Sequence, residues 1–364
     1  MANSNNGPRV PALVRAVELL EIAATERVPL SLGELARRMG LAKSSVLNLC
    51  NSLVDERLLL RGHDGSYRSG PRLVEIAAPM QEDIRPLQNI GMTVQNESNV
   101  FFAAEIRSAS EEAKRIGATL RSACANGDPR VQSAQIRSFV DNGADLVIVD
   151  PVDSRGIEAA ADYARSRGVW IVAVNGSATS VDGAVTTDNA QAGFLAGQHL
   201  SNVLAPGEQV AIIDGARITA IADRVDGFRR ALVETERLVI ADHVTGDNSF
   251  EAGERLGRQL LAENPSIAGI FAINDPTALG VSHAYDSARR TVRIIGVDGS
   301  REAIADIASG GNIIATAVQD PEMLGRRSVR LGLQLASGAR PVNRTVLLPT
   351  QLITAQKIEG YKPW

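Results

Sequence analysis

Polar residues follow several short apolar runs in the second half of the sequence. Each run has the length of a strand, and the next residue carries a carboxyl or amide group: Asp150, Asn175, Asp214, Asn274 and Asp298. In open α/β sheets the carboxyl ends of parallel strands meet at a crevice where ligands bind. One such residue alone is more simply explained as a helix cap. Five in equivalent positions predict a ligand site made of hydrogen-bonding groups.

Residues for catalysis or metal binding are sparse. The sequence has four histidines and two cysteines, and Cys50 and Cys124 lack the Cys/His spacing of a zinc site. A Gly-rich phosphate loop and a nucleophile-elbow pattern are both missing. We therefore expect no metal, no cofactor and no enzymatic activity.

Charge is unevenly distributed along the 364 residues. The net charge is −4, but residues 27–72 hold eight Lys or Arg and four acids, so this stretch carries +4 and the remainder −8. A basic stretch on an acidic body suits an approach to phosphates. Solvated helix faces are the simpler explanation from charge alone. A targeting segment and an apolar run of membrane-spanning length are both missing, so we expect a cytoplasmic protein without membrane contact.

Helical spacing and turn residues organise the first 75 residues. A first amphipathic helix, ending before Pro29, has its apolar face at Val10, Leu13, Val17, Leu20 and Ala24. Ser31 and Glu34 form a capping box at the start of a second helix, and Gly40 allows the sharp turn into a third. An Asp-Gly pair at Asp64 then predicts a β-hairpin, the wing.

This order of elements resembles the DNA-binding domain of the IclR family over about residues 8 to 80. The likeness is close in LSLGELARRMGLAKSSV and in LVDERLLLRGHDGSYRSGPRLVEIA. It implies a winged helix-turn-helix whose third helix enters the major groove. The residues implied in DNA binding are Ser31, Lys43, Ser44, Ser45, Leu47, Asn48, Arg61 and Arg68. Leu47 and Asn48 would face base edges, a thymine methyl and an adenine, although packing of Leu47 and solvation of Asn48 are the alternative.

From about residue 87, apolar runs alternate with helical segments, as in a parallel sheet covered on both faces. Motifs in the order DPVDS, TTDNAQAG, DRVDGF, FAINDPTALG, GVDGS and AVQDP make residues 90–355 resemble type I periplasmic binding proteins, especially ribose-binding-like proteins and LacI-type effector domains. The expected fold is therefore α/β, a winged helix-turn-helix followed by a two-lobed domain of parallel sheets flanked by helices. The expected domains are residues 1–70, a linker helix at 71–89, and 90–364, with lobes at 90–187 plus 320–348 and 190–319 plus 349–364.

The resemblance also implies a ligand cleft between the lobes. Sugar hydroxyls both donate and accept hydrogen bonds while sugar C–H faces are apolar, so amides, carboxylates and aromatic rings suit them. The implied ligand-binding residues are Asn99, Phe101, Phe102, Asn175, Asp247, Asn248, Asn274, Asp298 and Gln319. Ribose binders have Asp-Arg where this chain has Asn175-Gly176, and an Arg where it has Ala222. Ribose itself is therefore doubtful, and another pentose, a hexose or an acyclic polyol suits the cleft.

The sequence thus predicts a ligand-responsive, bacterial-type transcription regulator that binds a palindromic operator as a homo-oligomer, a dimer or tetramer, and senses a small sugar or polyol. The alternative is a sugar-modifying enzyme with a kinase-like body, because GVDGS at 296–300 loosely resembles a sugar-kinase turn. A second alternative is a sugar-binding module whose helix-turn-helix binds protein.

Overall fold

The structure is a computed structural model that describes residues 11–26, 28–77, 87–96, 99–338 and 344–364. The chain divides into an N-terminal unit, Met1–Ile84, and a C-terminal unit, Arg85–Trp364. In the described part of the chain, every helix is too short or too polar to cross a membrane. The same ranges contain no cluster of His, Cys, Asp and Glu side chains that is able to hold a metal ion.

The described part of the N-terminal unit has three helices, a two-stranded antiparallel hairpin and a short fourth helix. Its elements are α1 (Pro11–Thr25), α2 (Leu32–Met39), α3 (Lys43–Asp55), β1 (Leu59–Arg61), β2 (Tyr67–Ser69) and α4 (Arg72–Ala77). Gly40, with φ of 61°, ends α2 in the left-handed conformation that favours glycine. Leu35, Val46 and Cys50 are buried between the helices, as the spacing predicts. The expected linker helix begins as α4, and residues 78–86 lie outside the described residues.

The predicted apolar face of α1 is largely wrong, since only Leu20 of its described residues packs against the core. Leu13 and Val17 are exposed, whereas Leu19 and Ala23 pack against the other helices. Val10 lies outside the described residues. Almost every side of α1 carries apolar residues (PALVRAVELLEIAAT), so helical spacing alone does not determine which side is buried.

The C-terminal unit contains two six-stranded sheets, and each is the centre of one lobe. The first-lobe sheet has the order β13-β7-β6-β5-β3-β4 and is parallel throughout. The second-lobe sheet has the order β14-β12-β11-β10-β8-β9, in which only β14 is antiparallel. The strands are β3 (Asn89–Val94), β4 (Thr119–Cys124), β5 (Leu146–Val149), β6 (Trp170–Val174), β7 (Gly183–Thr187), β8 (Gln209–Asp214), β9 (Val239–Thr245), β10 (Ile267–Ala272), β11 (Arg293–Asp298), β12 (Ile313–Val318), β13 (Thr345–Leu348) and β14 (Leu352–Thr354).

Helices cover both faces of each sheet, which buries the continuous apolar strands of a parallel sheet. In the first lobe, α5 and α13 share a core on one face while α6 and α7 pack on the other. In the second lobe, α8 and α9 cover one face and α10, α11 and α12 the other. The helices are α5 (Val100–Arg115), α6 (Pro129–Asp141), α7 (Glu158–Ser166), α8 (Asn189–Val203), α9 (Thr219–Thr235), α10 (Phe250–Glu263), α11 (Asp275–Ser287), α12 (Arg301–Ser309) and α13 (Pro321–Ala336).

The chain passes between the lobes three times. It leaves the first sheet after β7 at Thr187, returns between β12 and α13 near Gln319, and leaves again between β13 and β14. After β14 a short 3₁₀ helix, Ala355–Lys357, leads into residues 358–364. The three passages lie at the carboxyl ends of β7, β12 and β13, and Gln319, which was singled out from the sequence, follows β12 at the second passage.

Candidate functional site

The residues expected to contact DNA lie on α3, at its start, and on the hairpin of the N-terminal unit. Lys43, Ser44 and Ser45 form the exposed first turn of α3. Asn48 is exposed on the next turn, while Leu47 is half-buried. Arg61 and Arg68 are exposed on the paired strands β1 and β2, where Arg68 lies opposite Leu60. Their solvent exposure leaves these groups available to a polyanion, and their contact with DNA stays a prediction.

One half of the predicted capping box is present at α2. The Ser31 hydroxyl accepts a hydrogen bond from the backbone N–H of Glu34 at 3.2 Å. The Glu34 carboxylate does not return to the cap and instead accepts hydrogen bonds from Arg37 and Arg38. These two guanidinium groups lower the pKa of Glu34 to about 2. Ser31 is thus engaged in capping the start of α2, and Arg37 and Arg38 already have a carboxylate partner.

A cavity of about 210 Å³ in the C-terminal unit is lined by residues from both lobes. The structure places every predicted ligand-binding residue in its wall: Asn99, Phe101, Phe102, Asn175, Asp247, Asn248, Asn274, Asp298 and Gln319. Its volume is below the range of about 300 to 1,000 Å³ typical of drug-sized ligands, so it suits a small guest. The binding role of these residues stays a prediction.

The first-lobe wall combines an amide with two phenyl rings at the start of α5. Asn99 caps the helix by accepting a hydrogen bond from the N–H of Phe101 at 2.9 Å. Phe101 and Phe102 meet edge to face, with centroids 5.5 Å apart. Both rings also belong to the first-lobe core, so they pack in the core and line the cavity at the same time. The cap and the core fix the position of the aromatic wall.

The second-lobe wall presents two asparagines and a carboxylate. Asn274 caps α11 through Thr277 and donates its amide to the carbonyl of Asn248 at 2.9 Å. Asn248 has a φ of 72°, a left-handed conformation that asparagine tolerates better than most residues. Its Oδ1 accepts a hydrogen bond from Ala216. Asp247 accepts hydrogen bonds from Ser249, which lower its pKa and keep it ionised. Local hydrogen bonds therefore preorganise this wall.

Gln319 and Asp298 lie where the chain passes between the lobes. Gln319 donates its amide to Asp298 at 2.8 Å and accepts a hydrogen bond from the Thr187 hydroxyl at 2.9 Å. Thr187 ends β7 and Gln319 follows β12, so this pair joins two of the three passages. A change in the angle between the lobes would therefore act directly on residues of the cavity wall.

A buried guanidinium, Arg224 on α9, reaches the cavity and was not singled out from the sequence. It donates hydrogen bonds to Asn189 at 2.7 Å and to the carbonyl of Ile273 at 2.6 Å. Burial lowers its pKa, and the carboxyls of Asp298, Asp275 and Asp150 oppose that shift. The cleft thus keeps one arginine although it lacks the two at the ribose-binder positions.

Carboxyl groups are buried directly behind the cavity. Asp150 accepts hydrogen bonds from Gln95 at 2.6 Å and Asn175 at 3.2 Å, and burial raises its pKa to about 7. Glu105 is fully buried and its pKa lies well above the usual range because of that burial and the nearby Asp150 charge. The Oδ1 of Asn175 is buried without a hydrogen-bond partner in the described structure.

The strand-end rule was partly wrong about which side chains converge. Asp214 is absent from the cavity wall because its carboxylate contacts His243 on the neighbouring β9 at 3.1 Å. Asp150 lies behind the wall. The sequence reading missed Gln95 and Asn96 after β3, Asn126 after β4, and Ser249, all of which line the cavity. Gln95, Asn96 and Asn126 follow strands, so the rule that polar residues at strand ends line a ligand site would have identified them if β3 and β4 had been included.

Two family models match the chain. The periplasmic binding protein domain matches residues 90–340, and the IclR helix-turn-helix domain matches residues 12–62. Both are binding domains and neither is an enzyme family.

Relatives and solved structures agree with these matches. The ribose import binding protein of Bacillus subtilis (strain 168) is 28% identical over 268 residues, 73% of this chain and 87% of that protein. The xylitol-binding protein of Mycolicibacterium smegmatis is 28% identical over 238 residues, 64% of this chain and 68% of that protein. A crystal structure of an ABC transporter solute binding protein from Mycobacterium smegmatis with bound glycerol has a TM-score of 0.72 at 27% identity, covering 76% of this chain and 99% of that one. The chain belongs to the periplasmic binding protein domain family and carries an IclR helix-turn-helix domain at its N-terminal end.

Proposed function

We propose that this protein is a transcription regulator whose cleft binds a small, neutral sugar or polyol and whose N-terminal unit binds operator DNA. The observation that carries the proposal is the composition of one small cavity: amides from both lobes and two second-lobe carboxylates line it together with two phenyl rings. Each hydroxyl of a polyol finds both donors and acceptors there, and its C–H groups find an apolar wall. The relatives named for ribose and xylitol support this ligand class.

The charge of the wall argues for a neutral guest. Its one buried guanidinium, Arg224, is already bonded to Asn189 and the Ile273 carbonyl, and carboxyls surround it. A sugar phosphate would bring further negative charge toward Asp247 and Asp298, and Arg224 is the only cation among the described residues that line the wall, which makes a phosphate costly in a buried site. The ordered polar network instead favours hydroxyl groups.

A thermal-shift screen against pentoses, hexoses, acyclic polyols and inositols tests the ligand class. A compound at 100 times its dissociation constant adds about 2.7 kcal/mol to the stability of the folded state. Asn274→Ser keeps a capping oxygen for α11 but removes the amide at the cleft, so it should reduce the shift. Asn202→Ser, at an exposed position of the same lobe, is the matched control and should not. A panel without any shift, or equal shifts in both variants, contradicts the proposal.

The regulatory step is a population shift between lobe arrangements. A guest that contacts both walls binds the closed arrangement better and so favours it. In a homodimer this would alter how two recognition helices fit the half-sites of a palindromic operator in the cytoplasm. The proposed activity is binding alone. Incubation with ATP and the same sugar panel should therefore give no phosphorylated product.

A further inference from the structure

Residues 361–364 contact the cores of both lobes although they lie beyond the last of the three passages. Tyr361 packs against the second-lobe core and donates its hydroxyl to the carbonyl of Gly299 at 2.8 Å. Trp364 packs against the first-lobe core, edge to face with Phe101 at a centroid distance of 5.3 Å. Its indole N–H also donates to the carbonyl of Asp298 at 3.2 Å. We call residues 361–364 the strap.

Both groups that Trp364 contacts belong to residues of the cavity wall. Phe101 is on the first-lobe side and Asp298 on the second-lobe side. Asp298 has a φ of 139° and Gly299 a φ of 77°, so the backbone at the end of β11 adopts conformations that need support from its surroundings. The strap supplies that support, because it donates hydrogen bonds to the carbonyls of both Asp298 and Gly299. The Asp298 carboxylate accepts a further hydrogen bond from Gln319.

We propose that the strap is a fourth, noncovalent connection between the lobes, and that Trp364 is a positioning residue for the effector cleft. Opening the lobes separates Phe101 from Asp298, and one indole cannot keep both contacts when they move apart. The strap therefore favours the arrangement in which the two walls face each other. An aromatic pair plus one hydrogen bond supports a change of about threefold to tenfold in the closed-to-open ratio.

The structural part of this inference is testable without any effector. Hydrogen exchange of the full-length protein should accelerate by about threefold or more in Trp364→Ala, in peptides covering residues 99–105 and residues 296–302 together. Trp364→Phe keeps a ring against Phe101 but loses the N–H, so it should restore protection mainly in the 99–105 peptide. Lys362→Ala, an exposed neighbour in the strap, is the matched control and should change neither peptide.

Three outcomes would overturn the proposal. Faster exchange in only one lobe would make the strap a part of that lobe alone. Uniformly faster exchange throughout the C-terminal unit would make Trp364 an ordinary core residue. Unchanged exchange would remove its role altogether.

A spectroscopic readout follows the same contact. The chain has two tryptophans, Trp170 and Trp364, so Trp170→Phe leaves Trp364 as the sole indole. In that background, Phe101→Leu should red-shift the emission and raise quenching by acrylamide, because the indole loses its ring partner. An unchanged spectrum contradicts the contact.

The consequence for ligand affinity rests on the proposed function. For xylitol, ribose, myo-inositol or whichever panel compound gives a thermal shift, Trp364→Ala should weaken binding by about threefold to tenfold, although Trp364 does not line the cavity. Undiminished affinity for such a compound contradicts the positioning role. A panel without any binder defeats the proposed function, whereas the exchange experiment still decides the strap.

Discussion

The charged groups at the two candidate sites lie in opposite environments. In the N-terminal unit, Lys43, Arg61 and Arg68 are exposed, and the Glu34 carboxylate is held ionised on the surface by two arginines. In the C-terminal unit, Arg224 and Asp275 are fully buried in one polar network. A surface that binds phosphates needs solvent-exposed positive charges. A cleft that selects a small ligand needs polar groups whose positions are fixed in the free protein.

This difference has an energetic consequence. Surface ion pairs contribute little to stability, whereas breaking a buried network leaves an uncompensated charge in a low-dielectric interior. The C-terminal unit should therefore depend strongly on its ionisable groups, and the N-terminal unit on its small apolar core. Both tryptophans belong to the C-terminal unit, so tryptophan fluorescence reports the unfolding of that unit alone.

Removal of the buried guanidinium should produce the largest effect. Arg224→Ala leaves Asn189 and the Ile273 carbonyl without their donor and the nearby carboxyls without a neighbouring positive charge. We expect a loss of about 3 to 5 kcal/mol in the unfolding free energy of the C-terminal unit. Urea unfolding followed by tryptophan fluorescence measures it. Arg301→Ala, at an exposed arginine of the same lobe, should change stability by less than about 0.5 kcal/mol. Similar losses in both variants would show that the buried arginine is no more important for stability than the exposed one.

The change of stability with pH should have opposite signs in the two units. Burial raises the pKa of Asp150 to about 7 and of Asp275 to about 8, well above the values of unfolded carboxyls. At a pH between the unfolded and the folded pKa of each carboxyl, the folded state binds more protons than the unfolded state. The C-terminal unit should therefore lose stability from pH 5 to pH 8, by up to about 1.4 kcal/mol per pH unit for each such group.

The N-terminal unit should respond in the other direction. Because the Glu34 pKa is lowered, its contribution is present above the unfolded value and disappears as the pH falls through about 2. Urea unfolding at pH 5, 6, 7 and 8, followed by tryptophan fluorescence, tests the larger effect. Stability of the C-terminal unit that stays level or rises across this range would contradict the raised pKa of these carboxyls in the folded state.

Substitution of one exposed cation should have a smaller, salt-dependent effect. Lys43→Ala removes a group at the start of α3 that makes no ion pair in the described structure, and DNA affinity should fall by about threefold to tenfold for every sequence tested. The slope of log affinity against log salt should fall by about 1. Arg37→Ala is the control, because that guanidinium is already paired with Glu34. Equal slopes for wild type and Lys43→Ala would show that Lys43, at the start of α3, does not contact a phosphate.

Local patterns were sufficient to predict most elements of the fold, whereas the two-lobed arrangement was implied by the resemblance to periplasmic binding proteins. Strand runs, the Asp-Gly hairpin and the turn at Gly40 specify backbone conformation through neighbouring residues, and the described structure contains each of them. The buried face of α1 was predicted wrongly because apolar residues surround that helix. Its partner is chosen by tertiary packing, which places Leu19 and Ala23 inside.

The cavity wall was predictable where a residue follows a strand and less so elsewhere. Asp214 ends a strand, but its carboxylate contacts His243 across the sheet edge, a pairing that strand order alone decides. Arg224 reaches the cavity from the middle of the α8–α9 contact, where a Cβ at Gly193 would lie 1.9 Å from its carbonyl. Trp364 reaches Phe101 across 263 positions of sequence, and no local signal marks such a contact.

Occupation of the cleft should change the affinity of the N-terminal unit for DNA. The direct measurement is a fluorescence-anisotropy titration of DNA from the protein's own upstream region, with and without the compound that raises the melting temperature. We predict a change in DNA affinity of about fivefold or more for the wild type and a smaller one for Asn274→Ser. DNA affinity that is identical at zero and saturating compound would contradict the account.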